Sequence, residues 1–185
     1  MKKYKIGETF QMEGIDLLVL DYVGENPFVL AYNLNITTKF SNNGNNYKGS
    51  LLEKACEDWF ENTNFHAVAR VVDLRAANGD SDYGPINAKV APLTFDEWRN
   101  YQKIITPVLS NWIWTVTPWS NSDGSTGLCS VNTIGSAYYS RYNNSDGLAP
   151  AFILDSSFYN NFDDLSDIST EALLEELHKR ACPSR

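Results

Sequence analysis

The first stretch of the chain is built from short apolar spans divided by turn residues. In "KIGETFQMEGIDLLVLDYVGENPFVLAYNLNITTKF" the pieces "IDLLVLDYV" and "PFVLAYNLNI" are rich in β-branched and aromatic residues, and Gly14 and residues 24–26 break the pattern. This predicts a meander of strands, followed by a polar loop in "SNNGNNYKG". From Ser50 the period lengthens. Leu51, Leu52, Ala55, Trp59 and Phe60 recur at helical spacing, with Ser50 as N-cap and the charges on the other face.

Residues 71–91, "VVDLRAANGDSDYGPINAKVA", cluster Gly, Asp and Asn and read as a long loop with short extended pieces. A second helix starts at Thr94, where Glu97 completes a capping box and Leu93 is placed to staple against Trp98. It runs through "DEWRNYQKII" and stops before Pro107. Then come "NWIWTVTPW", "GLCSVNTIG" and "LAPAFIL", three spans with strand character. They are separated by two copies of "NSDG", at 121–124 and 144–147, and by "SAYYSRYN", read as a connection. Near the C-terminus Leu173, Leu174 and Leu177 have helical spacing, acids lead and bases follow, and Pro183 ends the run. The pattern predicts an α+β domain over residues 1–157 and a C-terminal helical appendage over 158–185.

Composition narrows the function. A chain of 185 residues suits one domain with an appendage, and its 13% aromatic share supplies both core and interface. The formal net charge of −8 argues against binding nucleic acid, which requires Lys and Arg to neutralise phosphates, and favours a cation or a basic partner. Cys56, Cys129 and Cys182 are odd in number and lack metal-ligand spacing, so reduced cytosolic thiols are expected. The N-terminus has no apolar signal core and no run approaches 18 apolar residues. A protein without secretion signal or membrane contact is therefore expected, cytoplasmic or virion-associated, and the sequons at Asn35 and Asn143 carry no meaning there.

Catalytic constellations are missing from the pattern. His66 and His178 keep no company with a nucleophile, and no phosphate-cradling glycine motif occurs, so the chain reads as a non-enzyme. The "NSDG" copies have the composition of turns, with Asx side chains capping the backbone and Gly supplying positive φ. The sequences after them differ, which argues against a repeat. Their oxygens also offer a paired carbonyl and carboxylate Ca²⁺ site, and Asn121, Asp123 and Asp146 are expected among the ligand-binding residues. In "NGDSDYG", Asn78, Asp80 and Asp82 have the opening spacing of an EF-hand, but Lys89 stands where the closing Glu belongs, leaving a non-EF-hand cation loop as the metal candidate. Ca²⁺ is the one ion suggested, and no other cofactor is expected. Trp112 and Trp114, two apart on a strand, are expected to share a face in the core, while Trp119 beyond Pro118 is expected to be exposed. With Tyr138, Tyr139, Arg141 and Tyr142 it would form an aromatic recognition patch beside the two loops.

The segments "GETFQMEGIDLLVLDY", "ACEDWFENTNF", "APLTFDEW", "NWIWTVTPWSNSDG", "SVNTIG" and "GLAPAFIL" occur in an order that resembles the bacterial and phage family DUF6273 over about residues 6–155. Two family arginines are missing, at the positions filled by 115–119, "TVTPW", and 147–150, "GLAP". The resemblance implies a C-type-lectin-like fold, akin to formylglycine-generating enzymes, with a variable loop surface; the expected architecture is a mixed or antiparallel sheet with two helices and a C-terminal helical tail. It implies no reaction. Two functions are expected, the first from the resemblance and the second from the net charge of −8 and the missing secretion signal. One is a phage-type or mobile-element module that binds a protein or glycan ligand through loops of the C-terminal half. The alternative is an acidic inhibitor that occupies a basic site on a host defence effector, as anti-CRISPR proteins do.

Overall fold

The N-terminal apolar spans pair as an antiparallel meander of β1 (Thr9–Met12), β2 (Ile15–Val23) and β3 (Asn26–Tyr32). The first hairpin turns on Glu13 and Gly14, with φ of 54° and 76°. Two successive positive φ values match the twist of the flanking strands. Glu13 is held there through its carboxylate, which accepts from Asn64 N at 3.1 Å and Asn64 Nδ2 at 2.9 Å. The computed structural model describes residues 4–121 and 125–157; Asp123 of the first "NSDG" and the expected helical appendage lie outside them.

Along the rest of the chain follow β4 (Thr37–Lys39), α1 (Leu51–Glu61), β5 (Ala67–Val68), β6 (Arg70–Asp73), β7 (Pro85–Ala88), β8 (Val90–Pro92) and α2 (Phe95–Ile105). Then come β9 (Ile113–Pro118), β10 (Gly127–Val131), β11 (Ala137–Arg141), β12 (Ser145–Gly147) and β13 (Pro150–Leu154). A six-stranded sheet has the order β1-β2-β3-β13-β5, with β8 also on β13; a five-stranded sheet has the order β11-β10-β9-β12-β4; β6 and β7 pair separately. The pairings are antiparallel except between β12 and β9. Among the described residues this is an α+β fold with two α-helices, as the pattern predicts for residues 1–157.

The run "LLVL" in β2 is apolar at every position because the sheet is covered on both faces. Leu17 and Val19 pack in one core cluster with Phe152, Trp114 and the α1 residues Leu52 and Cys56. Leu18 and Leu20 pack in a second with Ile153 and the α2 residues Trp98 and Ile105. Successive strand residues point to opposite faces, so the two helices cover opposite sides of the six-stranded sheet. Both helix starts are as expected. Ser50 Oγ accepts from Glu53 N at 3.0 Å, and Thr94 and Glu97 form the reciprocal capping box at 3.0 and 2.8 Å. Leu93 and Trp98 join the same cluster, as a staple requires. Pro107 ends α2 in a 3₁₀ turn over Thr106–Val108.

Three expectations need correction. The second "NSDG" is not a loop tip: Ser145–Gly147 is the strand β12, wedged between β4 and β9. Its Gly147 is there for proximity rather than positive φ, because a Cβ would stand 2.6 Å from the Trp112 carbonyl oxygen. "SAYYSRYN" is likewise no connection, since Ala137–Arg141 pairs with β10 over five positions. The hairpin between them is tightened by Asn132, whose Oδ1 accepts from Ile134 N and Ser136 N. Lastly, Trp114 is core but Trp112 is 39% exposed, because the strand begins one residue after it.

Candidate functional site

Strand β11 sits at the end of the five-stranded sheet and pairs, among the described residues, with β10 alone. Tyr138 and Tyr139 are consecutive on it, so the pleat sends them to opposite faces. Each meets a tryptophan edge-on. Tyr138 meets Trp112 with ring centroids 4.7 Å apart, and Tyr139 meets Trp119 at 5.8 Å. The expected single aromatic patch is thus two pairs on two sides of an edge. The Trp119–Tyr139 side is open, both residues being about half exposed, and the Tyr139 ring lies over Gly127 where a Cβ would otherwise be. Tyr139 Oη and Thr126 Oγ1 are hydrogen-bonded at 3.0 Å. Arg141 is exposed on the same strand, whereas Tyr142 is half-buried against the core.

The Trp112 side borders a cleft of about 290 Å³. Its walls come from the segment after β3, the segment before β9, and β12. Asn33 and Asn35 both have φ of 55°, a left-handed conformation that Asn tolerates better than other side-chain-bearing residues. Asn33 is held by Ser110, whose Oγ donates to Asn33 Oδ1 at 2.7 Å. Gly147 N donates to the Trp112 carbonyl at 2.8 Å and so closes the floor. Asp146 lines the same cleft, half-buried, and accepts from Ser140 Oγ at 3.3 Å. Burial raises its pKa above the ordinary carboxylate value, and hydrogen bonds from Ser140 and Ser130 pull it partway back. A half-buried carboxylate without a cationic partner among the described residues, beside an exposed indole and several amides, has the make-up of a polar ligand site.

Of the expected residues, Asp146 falls in this cleft. Trp112, Asn33, Asn35 and Ser110 were missed in the sequence. The signal for the asparagines was present, because "NLN" directly after a strand is where a chain turns through left-handed conformations.

The other "NSDG" has a different setting. Asn121 Nδ2 donates to the Asp80 carbonyl at 3.2 Å and Ser120 Oγ to Asp80 Oδ2 at 3.4 Å, so the 78–82 loop and the stem of the first "NSDG" come together. Asn78 Nδ2 donates to Asp80 Oδ2 at 2.7 Å, while Asp82 is exposed. Both stems of that loop hang on Asn45, a buried residue from "SNNGNNYKG". Its Nδ2 lies within 2.8 Å of the Ser120 carbonyl, 3.1 Å of Ser125 Oγ and 2.9 Å of the Gly127 carbonyl. Tyr83 Oη completes the set by donating to Asn45 Oδ1 at 2.7 Å. Among the described residues no three His, Cys, Asp or Glu side chains are arranged to hold a metal ion.

Comparison of the chain with protein-family models, curated proteins and solved structures gives no match. Among the described residues no helix is long and apolar enough to cross a membrane.

Proposed function

We propose that this protein is a non-catalytic binding module that takes a glycan in the cleft between Trp112, Asn33, Asn35 and Asp146. The observation that carries the reading is the meeting, in one concavity, of a part-exposed indole with amides and a carboxylate that has no cationic partner among the described residues. An indole offers a flat apolar surface for the C–H face of a sugar ring, and amides and carboxylates supply the donors and acceptors that its hydroxyls need. The volume of about 290 Å³ suits one or two sugar residues rather than an extended chain. No nucleophile, base and orienting group meet in the cleft, which favours binding over chemistry. The reading goes with a C-type-lectin-like body presenting its ligand surface from the C-terminal half.

A glycan array probed with the full chain and with Trp112→Ala tests this. Retention of a defined glycan set by the wild type and its loss in the variant, with Tm within about 3 °C, supports the reading. Equal retention by both, or none by the wild type, contradicts it.

A protein ligand is favoured by a separate observation, the outer edge of β11 with exposed Tyr138, Tyr139 and Arg141 along it. An extended peptide adds to such an edge through main-chain hydrogen bonds, and side chains beside it set the specificity. Trp119→Ala with Tyr139→Ala abolishes that mode and leaves glycan retention intact.

A further inference from the structure

Asp146 is the one ionisable side chain among the described residues that line the Trp112 cleft. Strand register shows what surrounds it. Gly147 is level with Ile113, whose side chain belongs to the α2 cluster, so Asp146 faces the other way, toward the side of Trp114. Ser130 stands opposite both Trp114 and Tyr138, which puts all three on that same side, with Ser140 two residues beyond Tyr138. Trp112 reaches this side through its ring contact with Tyr138 at 4.7 Å. The carboxylate is thus gathered with the Trp112–Tyr138 pair on one face of the sheet, in agreement with the hydrogen bonds it accepts from Ser140 and Ser130.

The basic residues of the neighbouring strands are turned away from it. Lys39 is level with Ser145, on the opposite face of β12, and Arg141 follows Ser140 and so points to the opposite face of β11. The side chains that share the face of Asp146 are neutral: Thr38 on β4, Trp112 and Trp114 before and in β9, Ser130 on β10, and Tyr138 and Ser140 on β11. A carboxylate offers about four acceptor sites, and two hydroxyls do not fill them. Its raised pKa is that of a carboxylate that has lost solvent and gained no cation.

This environment discriminates between sugars by charge. A carboxylated or sulfated sugar would bring like charge against Asp146 and meet no basic side chain on the described walls. The hydroxyls of a neutral sugar make ordinary hydrogen bonds. A protonated sugar amine makes charge-assisted ones to the carboxylate and is also attracted to the face of an indole. We propose that the Trp112 cleft prefers a sugar with a free amino group, a hexosamine lacking its N-acyl substituent, whose ammonium donates to the Asp146 carboxylate while the ring lies on Trp112. The proposal rests on the glycan reading and narrows it.

NMR titrations of the full chain, read at the Trp112 indole N–H, test it with methyl glucosaminide, methyl N-acetylglucosaminide and methyl glucoside offered separately. All three move the signal, and the glucosaminide binds about tenfold more tightly than the other two at about pH 6, where its amine is protonated. The advantage shrinks as pH falls and Asp146 takes up a proton, and again as pH rises and the sugar amine loses its own. High salt reduces it as well. Asp146→Asn removes the advantage, whereas a general attraction of cations to a chain of charge −8 would survive that change. An advantage below about twofold, or one that persists in Asp146→Asn, overturns the proposal and leaves the glycan reading in place. If none of the three sugars moves the Trp112 indole, the glycan reading falls and the proposal falls with it.

Discussion

Asp146 and Gly147 show how two adjacent residues of a turn-like motif acquire different tasks. Asp146 is half-buried and its pKa is raised, by desolvation above all. A carboxyl whose folded pKa lies above its unfolded value favours the protonated fold, so its ionisation costs stability as pH rises through the folded pKa. Asp146→Asn is therefore expected to raise Tm by about 1–3 °C at pH 7, a gain that vanishes below about pH 4, where the carboxyl is protonated in both states. Thermal melts across that range check it; a lower Tm at pH 7 contradicts it. Gly147→Ala puts a methyl 2.6 Å from the Trp112 carbonyl, a backbone atom that cannot swing aside. A loss of roughly 1–3 kcal/mol in urea unfolding is expected, because overpacking against backbone forces strands apart. Neither role is visible in "NSDG" as a string. Asx and Gly residues predict a turn from local chemistry, and here long-range pairing with β4 and β9 overrides it. The aromatic residues were more legible: Trp119 is exposed as its position after Pro118 suggests, whereas the expected exposure of Tyr142 is reduced by packing on the core.

Among the elements, the helices were the most legible, because their start signals are local. The Thr94 capping box lies within four residues and forms as read. What the string does not disclose is that Glu97 has a second partner. Its Oε1 accepts from Arg70 Nη1 at 2.6 Å, while Arg70 Nη2 reaches the Ala91 and Pro92 carbonyls at 3.4 and 3.3 Å and the guanidinium lies 5.0 Å from the Phe28 ring centroid. Arg70 is buried and Glu97 only partly so, which ties the start of α2 to β6 and β8. Glu97→Ala orphans a buried guanidinium as well as a cap. It is expected to cost roughly 2–4 kcal/mol, against about 1 kcal/mol for Thr94→Ala, measured as a midpoint shift in urea at constant m. Equal costs for the two variants would mean the ion pair adds nothing. Strand β11 was read as a connection because Ala, Tyr, Ser and Arg do not alternate cleanly. At a sheet edge both faces are partly open, and the apolar-polar period that reveals an inner strand is weakest there.

For the whole molecule, the period-2 pattern gives the strands but not which sheet each joins. Thus β13, the last strand described, closes onto β3, β5 and β8 at once. Pairings of that sequence separation leave no mark in one chain. The cleft beside Trp112 is of the same kind. Asn33 and Asn35 stand more than 70 positions before Trp112 in the sequence, and they meet through the sheet that brings β4, β12 and β9 side by side. On the proposed reading Trp112, rather than Trp119, receives the ligand. Its most direct test is an NMR titration of the five tryptophan indole N–H signals with a mixture of methyl hexosides and methyl N-acetylhexosaminides. Movement of the Trp112 indole and the Asn33 and Asn35 side-chain amides, with Trp119 still, is the predicted result; movement at Trp119 alone, or at no indole, would contradict it.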